Sequence, residues 1–124
     1  MKRPLSPHLS IYHLSFHAFM SISHRASGIV LFAGNVGLLI FLSFLAFFPD
    51  TYGFWKAFFG NILVQCGLFV YAAALFYHSF NGARHMLWDL GIGFDQKTIH
   101  ISSYVIFLAT ILSVFLLWRA IFNV

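Results

Sequence analysis

At 124 residues the chain is long enough for one domain. Its 60% hydrophobic, 20% aromatic and 8% charged residues exclude an ordinary soluble fold, in which about 25% of residues are charged and too little surface is buried to hide so much apolar sequence. The formal charge of +4 does not signal nucleic acid, because the basic residues are scattered and separated by hydrocarbon; a membrane protein with basic ends accounts for it.

Residues 1–20 are polar to mixed, with Pro4 and Pro7 opposing an early helix. Ser6-Pro7-His8 and Ile11-Tyr12 read as an extended arm lying along a surface, such as another subunit. No cleavable signal is visible, and the stretch does not resemble an amphipathic, Arg-rich transit peptide; insertion without a presequence is the favoured expectation, and a chain already processed is the alternative. Ser21-Ile22-Ser23-His24-Arg25 leads into a run from Ala26 to Pro49 without charge. That run is long enough to cross a hydrocarbon core of about 30 Å. Pro49-Asp50-Thr51-Tyr52-Gly53 signals a turn, and Trp55 with Lys56 reads as an interfacial anchor.

A second uncharged run extends from Ala57 to Ala83. It exceeds one span slightly, which predicts tilt or an interfacial start near Phe58-Phe59. Arg84 to Lys97 reads as a polar connection broken by Gly91 and Gly93, and a third run extends from Thr98 to Trp118. The fold class is therefore all-α membrane protein, a single anchor domain with helices over about 22–48, 58–86 and 99–119. Lys2, Arg3, Arg25, Arg84 and Lys97 fall on one side, Lys56 and Arg119 on the other. The positive-inside rule puts the N-terminus inside, in matrix or cytoplasm, and the C-terminus outside. Cys66, the only cysteine, excludes an internal disulfide framework and reads as an inert, buried thiol.

The stretch 77–91 gathers His78, Arg84, His85 and Asp89 beside apolar sequence. His78 lies six residues before Arg84, which sets it roughly 9 Å into the membrane. An ionisable side chain at that depth is a functional candidate by default, and neutral imidazole is a haem-iron ligand. Ala74 and Gly82 flank it on the same helix face, leaving room for a flat macrocycle, and Tyr71 and His85 continue the stripe. The alternative is a histidine hydrogen-bonded to a neighbouring helix without metal. Only one ligand is visible at this depth, so a six-coordinate haem needs a second ligand from another chain.

Ser21 and Arg25 stand at i,i+4 with His24 beside them. Both donate hydrogen bonds, which suits a quinone carbonyl or a haem propionate; the competing reading is a helix cap and a positive-inside anchor. His85 and Asp89 repeat the i,i+4 spacing, and a carboxylate there would orient the imidazole. Gly28, Gly34, Gly60 and Gly67 read as helix-packing positions. His8, His13, His17 and His100 have no spacing partner that raises them above surface histidines.

Three blocks carry a family resemblance. They are Arg3-Pro4-Leu5-Ser6-Pro7-His8 with Ile11-Tyr12; Ser21 to Arg25 followed by Gly28; and Tyr77-His78 through Asn81-Gly82-Ala83-Arg84-His85 to Trp88-Asp89-Leu90-Gly91. In this order and spacing the chain resembles the cytochrome b membrane-anchor subunits of succinate dehydrogenase, respiratory complex II. The third block is the most specific, whereas the last apolar run adds little. Ala83 stands where a bulkier residue is often found, a harmless departure.

The resemblance implies a complex with a flavoprotein subunit, an iron–sulfur subunit and a second small membrane anchor, passing electrons from succinate to ubiquinone. It makes His78 an axial ligand of haem b, shared with the other anchor. It places Ser21, Ile22 and Arg25 at the quinone site, and His24, Arg25 and His85 at the haem propionates. Succinate oxidation itself would belong to the soluble partners. A fumarate reductase anchor and a purely structural anchor without haem are the alternatives. The expected address is the mitochondrial inner membrane, with the bacterial cytoplasmic membrane as the alternative.

Overall fold

The computed structural model describes residues 14–122; the arm motif with Pro4, Pro7, His8, Tyr12 and His13 lies outside them. The described residues form four α-helices and no strand: α1 (Phe16–Phe47), α2 (Tyr52–Gly60), α3 (Ile62–Asp89) and α4 (Gln96–Phe122), with a single 3-10 turn at Pro49–Thr51. Helices α1, α3 and α4 are each long and apolar enough to cross a membrane, which gives the three expected spans.

Each boundary has a local cause. Helix α1 starts at Phe16, not near residue 22, because the Ser15 side chain caps it by accepting from the Ala18 amide at 3.2 Å. Pro4 and Pro7 lie too far back to interrupt it, so residues 16–20 belong to the helix and not to the arm. The helix ends at Phe47, ahead of Pro49, where the residue before a proline is driven from helical geometry. The second apolar run is not one helix. Asn61 takes an extended backbone (φ −71°, ψ 131°), and its side chain accepts from the Leu63 amide at 2.9 Å, capping α3. This separates α2, which carries Trp55 and Lys56, from the span proper.

Helix α3 runs through Arg84 to Asp89, beyond the expected end near residue 86, so the polar connection shrinks to residues 90–95. It closes in a Schellman motif: the Gly91 amide donates to the Trp88 carbonyl (2.8 Å) and the Ile92 amide to the Leu87 carbonyl (3.0 Å). Gly91 supplies the left-handed backbone that this requires, at φ 76°. Asp95 then caps α4 by accepting from the Thr98 amide at 2.9 Å. Hydrogen bonds from Thr98 hold its carboxyl below the usual carboxylate range.

Helix α3 is central, packed by α1 on one side and α4 on the other, with α2 against its N-terminal end. α1 and α4 meet near their N-terminal ends, where Phe16 stacks on Tyr104 (5.3 Å) and the His17 ring meets that of His100 (4.4 Å). His17 and His100 are thus paired through space, although sequence spacing gave no sign of it.

The buried set is inverted relative to a soluble protein. Among the described residues only Met20 and Ile106 are buried hydrophobics, whereas Ser27, Asn81, Arg84 and Ser103 are buried polar residues. The long aliphatic and aromatic side chains face outward along all three spans, as a lipid solvent requires. Cys66 is exposed, contrary to the expected burial, because it stands on an outer face of α3.

Close approach of α1 and α3 depends on Gly34, since a Cβ there would overlap the Tyr71 ring. The Tyr71 hydroxyl donates to Asn35 Oδ1 across the same contact at 2.8 Å. Gly34→Ala is expected to destabilise the protein in detergent by about 1–3 kcal/mol, the cost typical of overpacking, read as a lowered thermal midpoint. Gly37→Ala, whose Cβ meets nothing within 4 Å, serves as the control that should change little.

Candidate functional site

The polar seam lies where the first half of α1 meets the last half of α3. His78 projects from α3 onto α1, and its Nδ1 is 3.0 Å from Ser27 Oγ and 3.2 Å from the His24 carbonyl oxygen. The Ser27 hydroxyl donates to that same carbonyl at 2.7 Å. A Cβ on Gly28 would sit 3.2 Å from His78 Cε1, so the missing side chain is what lets the ring reach the α1 backbone.

The reciprocal contact comes from α1. His24 stacks on His78 with ring centroids 4.1 Å apart and planes 17° from parallel. It lies over Gly82, where a Cβ would be 3.9 Å from His24 Cε1. The His85 ring, two turns along α3, is 5.1 Å from His24 and meets Trp88 edge-on at 4.9 Å. Three imidazoles from two helices therefore share one interhelical space, with a glycine opposite His24 and another opposite His78. The Tyr77 hydroxyl ties the two helices beside them by donating to the Met20 carbonyl at 2.8 Å.

Of the residues marked from sequence, the structure brings His24, His78 and His85 together. Ser21, Ile22 and Arg25 lie on the same stretch of α1; Ser21 is half-buried, while Ile22 and Arg25 are exposed. Asp89 is exposed as well, and the ring neighbours of His85 are His24 and Trp88, so the carboxylate at i+4 is not what orients that imidazole.

Arg84, expected at the end of the second span, packs inward against α4. It is buried and donates through one terminal nitrogen to Ser103 Oγ of α4 at 2.7 Å, while its guanidinium lies 4.6 Å from the centre of the Trp88 ring. Ser27 and Ser103 escaped notice in the sequence, and Asn81 entered only as a member of the third block. Asn81 is fully buried, and neither its amide oxygen nor its nitrogen has a hydrogen-bond partner.

The residues suit a haem at His78 on chemical grounds. An imidazole whose Nδ1 edge faces a carbonyl and a hydroxyl keeps Nε2 for a metal, and Gly28 leaves room for that edge against α1. Among the described residues no group of three or more His, Cys, Asp or Glu forms a metal cage.

Three lipid-compatible spans around a buried polar seam define an integral membrane anchor with an imidazole-lined space between its helices. The chain belongs to the succinate dehydrogenase/fumarate reductase transmembrane subunit family, whose sequence model matches residues 1–117. It is 38% identical over 117 residues to the succinate dehydrogenase cytochrome b556 subunit of Rickettsia felis, covering 94% of this chain and 91% of that one. It is 40% identical over 116 residues to the mitochondrial cytochrome b560 subunit of Bos taurus, covering 91% and 68%. To the corresponding Homo sapiens subunit it is 35% identical, covering 90% and 67%. The resemblance to cytochrome b anchor subunits therefore extends over nearly the whole chain, the third span included.

The Arg84–Ser103 bond is a charge-assisted contact in a buried interface. Removing the acceptor by Ser103→Ala is expected to cost about 1–3 kcal/mol, seen as a lower thermal midpoint in detergent. Ser103→Thr, which keeps the hydroxyl, should remain closer to the parent protein.

Proposed function

We propose that this chain is the cytochrome b anchor of a succinate:ubiquinone oxidoreductase, in which it helps to hold a haem b and to complete the quinone-reducing site. The observation that carries this reading is the gathering of His24, His78 and His85 between α1 and α3 in a chain of this family. His78 would be the axial ligand, and the second would come from a partner anchor, since His78 alone lies deep within a span. His24, Arg25 and His85 would meet the propionates. When bound, the haem supplies a site that takes up and releases one electron at a time.

Ser21 and Arg25 would hydrogen-bond the quinone head, with Ile22 as an apolar wall. A carbonyl oxygen becomes a better acceptor as it gains electrons. Donors fixed beside it therefore favour the reduced forms over the quinone itself. The exposure of Ile22 and Arg25 in the isolated chain fits a site whose other wall belongs to another subunit. A flavoprotein, an iron–sulfur subunit and a second small anchor are the proposed partners.

The bacterial and mitochondrial relatives are succinate dehydrogenase subunits, which favours succinate oxidation over fumarate reduction. The proposed membrane is the mitochondrial inner membrane or, as the second reading, the bacterial cytoplasmic membrane. The excess of basic residues at the N-terminal side of the spans supports an N-terminus in the matrix or cytoplasm.

The test is Arg25→Ala in the whole complex. Succinate-to-ubiquinone activity should fall about tenfold or more, the scale of losing an oriented donor, while reduction of an artificial dye by succinate is retained. Unchanged succinate-to-ubiquinone activity would contradict the quinone role, whereas equal loss of both activities would point to failed assembly instead.

A further inference from the structure

The contacts of His78 Nδ1 form a closed triangle that allows one sensible placement of protons. Nδ1 lies 3.0 Å from Ser27 Oγ and 3.2 Å from the His24 carbonyl oxygen, and the Ser27 hydroxyl is 2.7 Å from that carbonyl. A carbonyl oxygen accepts only, and a hydroxyl brings a single proton. If Nδ1 were bare, that proton would have to serve either Nδ1 or the carbonyl. Whichever it served, the imidazole lone pair would still face the carbonyl oxygen with no proton between them. With the proton on Nδ1 the conflict disappears: Nδ1–H donates to Ser27 Oγ and the His24 carbonyl, and Ser27 O–H donates to the carbonyl.

The orientation of the ring follows from the same residues. The Nδ1–Cε1 edge faces α1, since Cε1 is the atom that a Cβ on Gly28 would crowd at 3.2 Å. Ser27 is itself buried, at 7% exposure, and His78 is half-buried beside it. Its hydroxyl is fixed within its own helix by the bond to residue 24, three positions back.

We infer that Ser27 is a positioning residue for the axial ligand: with the His24 carbonyl it holds His78 in the Nδ1–H tautomer and leaves Nε2 as the ligating nitrogen. This rests on the reading of His78 as a haem ligand and adds a residue of the opposite helix to it. The consequence is electronic as well as geometric. Donation from Nδ1–H toward oxygen raises the basicity of the imidazole, which favours the ferric over the ferrous state and lowers the haem potential.

The experiment compares Ser27→Thr, Ser27→Val and Ser27→Ala in the purified whole complex, measuring the haem midpoint potential by redox titration and the haem-to-flavin ratio. Thr and Val match in shape and differ in the hydroxyl, so the pair separates the hydrogen bond from packing. Expected are a wild-type potential in Ser27→Thr, and a raised potential with haem affinity about tenfold weaker in Ser27→Val and Ser27→Ala. Unchanged potentials in all three, or equal shifts in Thr and Val, would overturn the inference while leaving His78 as ligand. Absence of haem from the wild-type complex would overturn the ligand reading and this inference with it.

Discussion

The contact between the His78 ring and the backbone of α1 at Ser27–Gly28 organises the molecule. It needs a glycine at 28 to admit the ring, a hydroxyl at 27 and a free edge of the residue 24 carbonyl to meet Nδ1. It also needs a second glycine at 82 so that His24 can lie over the first imidazole. Each helix thus supplies both a histidine and the gap that receives the other's histidine. The distance between α1 and α3 is set by these polar contacts at one end and by Gly34 against Tyr71 farther along. Helix α4 adds to the arrangement from the far side of α3, through Arg84 and Ser103.

The energetic logic is that of a protein dissolved in lipid. Apolar side chains gain nothing by leaving hydrocarbon for a protein interior, so the hydrophobic effect does not draw these helices together. What the interior holds are groups that lipid would not satisfy: Ser27, Asn81, Arg84 and Ser103 are buried, while phenylalanine and leucine populate the surface. Polar groups in that setting are costly without partners, and most of these have them. Asn81 has neither end of its amide paired, and Arg84, bonded through a terminal nitrogen, leaves its Nε without a partner.

Much of the fold was legible because charge is so rare in this sequence. Runs free of charge marked the three spans, and the depth of His78 within one of them marked the site. The start of α1 was missed because Phe16-His17-Ala18-Phe19-Met20 carries no strong helix signature, and its cap at Ser15 is one serine among several. The break at Asn61 was hidden by apolar residues on both sides; it is made by a side chain bonding two residues ahead. Ser27 could not be read from sequence at all. A serine in a transmembrane helix is ordinary, and its partner lies 51 positions away. Arg84 was read as an interfacial charge because arginine so often marks a span's end. Only the packing of α4 shows that its partner is a serine of the next helix.

The central claim is that His78 presents its imidazole to a haem from within this seam. The most direct test is the reduced-minus-oxidised optical difference spectrum of the purified whole complex, wild type against His78→Ala, with subunit composition checked in both. The account predicts a b-type band in the wild type, and in the variant its loss or displacement while the subunits remain together. A wild-type complex without the band, or a variant whose band is unchanged, would contradict it.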